Sequence, residues 1–146
     1  LREDDIKAFG ELGEEFRKGL AELKLEFSIE MYEKLRKKNI GYLYDTSKLI
    51  EVYKKGQQSQ GCTTILNLIE FPKVIELEFK VLYPSKTDYN TALKLSLELQ
   101  SRGKPIPATD LIIASVALNN NLKLVTKDKH FINIKEVRLD LDLRID

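Results

Sequence analysis

Short apolar strands alternate with helices from residue 40 onward, and this alternation restricts the fold more than any other feature of the chain. Helical segments at 48–55, at 87–101 and after Pro107 separate the strand candidates. Those candidates lie at 40–44, 62–65, 79–83 and 122–126, with a last one near 137–143. Parallel neighbouring strands need crossovers of this kind. The sequence therefore predicts an α/β fold with a mainly parallel central sheet.

The first 39 residues have a different pattern, which predicts an amphipathic helical arm. Apolar residues recur every three or four positions, as in one stripe of a helix. They are Ile6, Phe9, Leu12, Phe16, Leu20, Leu23, Phe27, Met31 and Leu35. We therefore predict two parts, an N-terminal arm at residues 1–39 and an α/β domain at residues 40–146.

Composition excludes several classes of function. The chain has 146 residues, with 24 basic against 23 acidic residues, so it does not bind nucleic acid through a general polybasic surface. A single cysteine, Cys62, excludes an internal disulfide and a thiolate metal cluster, and it is expected in the core. The expected compartment is the reducing cytoplasm. No apolar run reaches the roughly 18 to 20 residues of a membrane span, so no membrane association is expected.

Four carboxylates occupy related positions along the predicted sheet. Asp45 follows the first strand, Glu70 lies in the helical turns after the second, and Asp128 follows the fourth. Asp110 opens the helix that precedes the fourth strand. Ligands of open parallel sheets bind at the carboxyl ends of the strands, so these acids are expected to converge there. Close carboxylates repel one another, and Mg²⁺ or Mn²⁺ is the simplest compensation.

Three of the four acids, taken alone, also have a structural explanation. Asp45 fits the N-cap of the following helix. Asp110 fits the first turn of its helix, where a negative charge favours the helix dipole. Asp128 fits an ordinary turn. Glu70, among Leu68, Ile69 and Phe71, is harder to explain structurally, because an unpaired buried charge is costly. The set of four favours a metal site more than any single member does.

The segments around these acids resemble the four motifs of PIN domains. Asp45 follows an aromatic strand and precedes Thr46 and Ser47, and Glu70 follows a strand that begins with two threonines. The Thr109–Asp110 pair opens an apolar helix, and Thr126 and Asp128 precede His130 and Phe131. The resemblance covers about residues 40–143. It implies a PIN-like three-layer α/β/α fold that follows the helical arm.

The resemblance also implies a function. In PIN domains the acids bind one or two Mg²⁺ or Mn²⁺ ions and the usual activity is endoribonuclease cleavage, with VapC-type toxins of toxin–antitoxin pairs among the small members. Asp45, Glu70, Asp110 and Asp128 would then be the metal ligands, and Thr46 or Ser47, with Thr126, would support them or contact phosphate. The expected partners are RNA, an antitoxin and a second copy in a homodimer. The competing interpretation is a non-catalytic PIN-like module that binds RNA or protein.

Two features depart from the family pattern. The interval from Asp45 to Glu70 is short, and an arm precedes the first strand. The arm is interpreted either as a helix that packs on the domain or on a second copy, or as an antitoxin-like segment. In the second case Arg17 or Arg36 would neutralise the carboxylates.

The sequence neighbours of five lysines and of His130 indicate where these side chains lie. Lysines near the acids are expected either on solvated faces or on a basic rim for an RNA backbone. They are Lys48, Lys54, Lys55, Lys127 and Lys129. His130 is the only histidine and lies beside Lys129, so it is expected to face solvent and to play no part in the site.

Overall fold

The computed structural model describes residues 41–57 and 60–146. Five short strands form one parallel sheet in the order β3-β2-β1-β4-β5. They are β1 (Tyr42–Tyr44), β2 (Cys62–Thr64), β3 (Lys80–Leu82), β4 (Lys123–Thr126) and β5 (Leu143–Ile145). The predicted α/β fold with a parallel sheet is confirmed. The predicted arm, residues 1–39, lies outside the described residues.

Five α-helices connect the strands. They are α1 (Thr46–Lys54), α2 (Ile65–Glu70), α3 (Lys86–Ser101), α4 (Ala108–Asn119) and α5 (Phe131–Val137), and a 3₁₀ helix (Pro72–Glu76) follows α2. Local sequence sets several of their ends. Thr64 with Asn67, and Ser85 with Asp88, form reciprocal capping boxes at the starts of α2 and α3. Gly56 and Gly103 follow α1 and α3 with φ of 62° and 69°, a conformation that favours glycine.

Two apolar clusters, one on each face of the sheet, form the core. Successive strand residues point to opposite faces. Leu43 and Leu124 accordingly belong to the larger cluster, which also contains residues of α3, α4 and α5. Tyr44 and Val125 belong to the smaller cluster, together with Leu49 of α1 and Val74 of the 3₁₀ helix. The sheet is thus the middle of three layers, as predicted, and Cys62 is buried in the larger cluster.

The position predicted for the last strand, 137–143, is wrong. Residues 131–137 form α5, and β5 begins only at Leu143. Phe131 and Ile134, three positions apart, are both completely buried, which is the spacing of a helix face. Among the described residues, no helix combines the length and the apolar character that crossing a membrane requires.

Strand order places a crevice beside the two central strands. From β1, the chain adds β2 and β3 on one side and β4 and β5 on the other. The strand order therefore reverses between β1 and β4, and ligands of open α/β sheets bind at the carboxyl ends of the strands at such a point. Asp45 follows β1 directly, and Asp128 lies two residues beyond β4.

Candidate active site

Asp45 is the most enclosed acid of the group, with 5% of its surface exposed. Its Oδ1 accepts a hydrogen bond from Ser47 Oγ at 2.6 Å, and its Oδ2 accepts one from Thr126 Oγ1 at 2.8 Å. Asp45 is also the N-cap of α1, where its side chain accepts from the backbone N–H of Lys48 at 3.4 Å. The capping explanation and a site at the sheet edge are therefore compatible for this residue.

Thr126 joins β1, β4 and the turn that follows β4. Its hydroxyl donates to Asp45 and accepts from the backbone N–H of Asp128 at 3.0 Å. Ser47 contributes similarly, because its hydroxyl accepts from the backbone N–H of Lys127 at 3.0 Å while it donates to Asp45. Both hydroxyls thus use their single hydrogen on one carboxylate, which fixes its orientation. The structure places Ser47 and Thr126 in contact with Asp45, where the sequence suggested supporting hydroxyls.

Asp110 and Asp128 are bridged by the side chain of His130. The Nε2 atom lies 2.7 Å from Oδ2 of Asp110, and Nδ1 lies 2.7 Å from Oδ1 of Asp128. Phe131 stacks on the imidazole with a centroid separation of 5.0 Å. The expectation that His130 faces solvent away from the site is wrong. Lys127 and Lys129 are indeed exposed, but the exposure of these neighbours does not extend to His130, because its ring turns toward α4.

Glu70 ends α2, and a polar relay within and beside this helix connects β2 to α1. Thr64 Oγ1 donates to Asn67 Oδ1 at 2.6 Å, and Asn67 Nδ2 donates to Thr46 Oγ1 at 3.1 Å. The Thr46 hydroxyl lies near the Glu70 carboxylate and lowers its pKa. Sequence reasoning missed Asn67, although its place three residues after Thr64 is the spacing of a capping box. Glu70 itself is exposed, as is Ile69, so the apolar neighbours in sequence do not bury it.

The electrostatics of the site favour a bound cation. Burial raises the pKa of Asp45, opposed by the hydrogen bonds from Ser47 and Thr126, and the charge of Asp110 raises it further. Although the Glu70 side chain is exposed, local desolvation of its carboxylate and the charges of Asp110 and Asp45 raise its pKa, opposed by the Thr46 hydroxyl. Glu70 also lies at the negative end of α2. A cation at this edge would offset all of these costs.

The donor atoms fit a divalent metal ion. Single ligand atoms of Asp110, Asp128 and His130 all lie within 4.8 Å of one another. Carboxylate oxygens suit Mg²⁺ and Mn²⁺, and an imidazole nitrogen suits the transition metals. The charge of Asp110 acts on both Asp45 and Glu70, so these three predicted acids belong to one electrostatic neighbourhood. Asp128 is connected to Asp110 through His130.

The lysines around the site are largely engaged with acids. Glu51 lies 3.3 Å from Lys48, 2.7 Å from Lys55 and 3.4 Å from Lys127, and Lys48 also contacts Asp146 at 2.6 Å. Lys54 and Lys129 are exposed. The predicted basic rim is therefore partly neutralised by Glu51 and Asp146.

Comparisons with known proteins show what this chain is similar to. The family model for the PIN domain matches residues 49–137, a span that contains Glu70, Asp110 and Asp128. Ribonuclease VapC1 of Methanocaldococcus jannaschii is 29% identical over 128 residues, covering 77% of this chain and 94% of that protein.

Solved structures of toxin–antitoxin complexes have a similar fold. VapBC-1 from nontypeable Haemophilus influenzae superposes with a TM-score of 0.58 at 24% identity, covering 71% of this chain and 96% of that one. VapBC2 from Rickettsia felis, bound to a promoter DNA fragment, also gives 0.58, at 20% identity, covering 71% and 97%. The family-model match spans more than half of the sequence, and the chain therefore belongs to the PIN domain family.

Proposed function

We propose that this protein is a toxin-like, divalent-metal-dependent endoribonuclease that hydrolyses RNA phosphodiester bonds at the edge of the sheet next to β1 and β4. The observation that carries the proposal is the connected hydrogen-bond and ion-pair network of Asp45, Thr126, Asp128, His130 and Asp110. It joins two strands and one helix at the point where strand order reverses. RNA as the substrate class is supported by the similarity to a VapC1 ribonuclease.

Asp45, Glu70, Asp110 and Asp128 would hold Mg²⁺ or Mn²⁺. When bound, the cation supplies positive charge that polarises the phosphodiester and acidifies water. Ser47 and Thr126 orient Asp45 through its two oxygens, and the Thr64–Asn67 pair positions the Thr46 hydroxyl near Glu70. Because these contacts exist before substrate binds, the ligands need little rearrangement to receive the ion. Lys54 and Lys129, being exposed, are the lysines most available to an RNA backbone.

The experiment that tests this function is metal removal and restoration. The full chain, stripped with EDTA, is incubated with a fluorescently labelled single-stranded RNA, and product is followed on a gel. We expect no cleavage in EDTA and cleavage after Mn²⁺ or Mg²⁺ is restored in excess. The control ion is Ca²⁺, which has the same charge as Mg²⁺ but a less strictly octahedral coordination geometry. Cleavage that persists at full rate in EDTA would exclude a metal-dependent mechanism.

We further propose an antitoxin as the protein partner, because structures with a similar fold are VapBC complexes. The cytoplasm and a homodimer, both expected from the sequence, stay predictions. The N-terminal arm is the candidate for an internal substitute of the antitoxin. This idea rests on the apolar stripe and basic residues of 1–39, which lie outside the described residues.

The arm hypothesis predicts that a full-length Arg17→Ala, Arg36→Ala double variant cleaves RNA faster than the wild type, because the carboxylates lose a competing cation. The measurement is the initial cleavage rate at saturating Mn²⁺. Arg102→Ala, which removes an exposed arginine paired with Glu98 on α3, is the matched control and should leave the rate unchanged. Equal rates for all three proteins would remove any inhibitory role of the two arm arginines.

A further inference from the structure

His130 occupies a position that its sequence context does not explain. Its side chain is 31% exposed and lies between two candidate metal ligands, with each ring nitrogen 2.7 Å from a carboxylate oxygen. Stacking on the fully buried Phe131 restricts the plane of the ring. An imidazole held on both edges and on one face is fixed in orientation, which is the property that a ligand or a positioning group requires.

The two nitrogens have different surroundings. Nδ1 faces Oδ1 of Asp128, which also accepts from the backbone N–H of His130 at 3.4 Å. The Asp128 backbone is itself fixed by its bond to Thr126. Nε2 faces Asp110, a residue of a different element. The contact to Asp128 is therefore local and built into the turn, whereas the contact to Asp110 depends on how α4 packs.

A neutral imidazole donates from only one nitrogen, and an ionised carboxylate only accepts. A hydrogen on Nδ1 satisfies Asp128 and leaves the Nε2 lone pair directed toward Asp110. A cation beside this pair could then be held by Nε2 and by the Asp110 carboxylate together. Histidine ligands of metals commonly donate their other N–H to a carboxylate in this way, which fixes the tautomer and increases ligand basicity.

We propose that His130 binds the catalytic cation through Nε2, beside Asp110, and that Asp128 positions the imidazole through Nδ1. The inference rests on the proposed metal-dependent function and gives the site a mixed nitrogen and oxygen donor set. Such a set favours Mn²⁺ and later transition metals over Mg²⁺, which prefers oxygen ligands. The site of this chain is therefore selective for a transition metal, and His130 is the residue responsible.

The test uses the full, untagged chain loaded with one equivalent of Mn²⁺ after EDTA treatment. Pulsed electron paramagnetic resonance detects nitrogen bound directly to Mn²⁺. The chain has one histidine, so labelling histidine with ¹⁵N assigns the signal to His130 without a substitution. We expect ¹⁴N modulation typical of a coordinated imidazole, replaced by the ¹⁵N pattern after labelling. Bound Mn²⁺ that shows no histidine coupling would overturn the inference.

Metal affinity gives a second readout. His130→Gln should weaken Mn²⁺ binding by at least roughly 10-fold, the scale found when groups around a metal are removed, while Mg²⁺ binding changes by less than about 3-fold because Mg²⁺ gains little from nitrogen. Calorimetric titration of both ions measures this, with circular dichroism to check folding. Equal loss for both ions, or no loss for either, would contradict the proposed selectivity.

The two proposals fail in different ways. Metal-dependent RNA cleavage without nitrogen coupling would remove the role of His130 as a ligand and leave the nuclease intact. A wild-type chain that binds neither Mn²⁺ nor Mg²⁺ would remove both.

Discussion

Asp110→Asn is expected to reduce the rate of RNA cleavage by about 100- to 1000-fold, with little change in the free energy of unfolding. Loss of a charged metal ligand removes several kcal/mol of transition-state stabilisation, and each 1.4 kcal/mol corresponds to a factor of ten in rate. Asp110 lies in the first turn of α4 and is partly exposed, so an uncharged isostere disturbs the packing little. The measurement is the single-turnover cleavage rate at saturating Mn²⁺.

Asp140→Asn is the matched control for this experiment. This substitution makes the same carboxylate-to-amide change. Asp140, however, lies in the turn before β5, where it forms an exposed ion pair with Arg138. Exposed pairs contribute little to stability, and the cleavage rate should stay within about 2-fold of the wild type. A similar rate for Asp110→Asn and Asp140→Asn would show that the acid on α4 takes no part in the reaction.

Phe131→Ala is expected to lower the free energy of unfolding by about 3 to 5 kcal/mol, the usual cost of removing a buried aromatic side chain. Phe131 is completely buried in the larger cluster, where it begins α5 and lies beneath the imidazole of His130. Urea unfolding followed by circular dichroism measures the change. Since the same side chain supports the ring of His130, Mn²⁺ affinity should fall as well.

Ile132→Ala is the neighbouring control, because Ile132 has 44% of its surface exposed and lies on the same turn of α5. Its substitution should cost less than about 1 kcal/mol, as expected for a partly exposed position. If both variants lost the same stability, the burial pattern of α5 would be wrong and the helix would have to be rotated. The two variants therefore test the burial pattern of α5, the helix that lies where the last strand was predicted to begin.

The parallel sheet, and the positions of Asp45 and Thr126 at its edge, could be predicted because their signals are local. Asp45 and Thr126 stand at the ends of apolar strands, and strand ends of a parallel sheet converge whatever the detailed packing. The helix at 131–137 does not follow from the sequence pattern, because only Phe131 and Ile134 are fully buried there, with Val137 partly buried against the same cluster. A segment of seven residues gives too short a pattern to separate helix from strand.

The roles of His130 and Asn67 depend on contacts distant in sequence. His130 meets Asp110 across 20 positions, and Asn67 meets Thr46 across 21. Neither contact follows from residue types or from the assignment of strands and helices, because both contacts depend on how α4 and α1 pack against the sheet. The acids were recognisable from their motifs, whereas the polar atoms that hold them in place required the structure.

Anomalous diffraction from crystals of the full chain soaked in Mn²⁺ tests the central claim most directly. The account predicts a peak at the carboxyl edge of the sheet, among the side chains of Asp45, Asp110 and His130, that disappears in Asp110→Asn crystals. A strong peak elsewhere would contradict the claim that these residues hold the catalytic metal. The absence of a peak at this edge, in crystals of protein that is active with Mn²⁺, would contradict it as well.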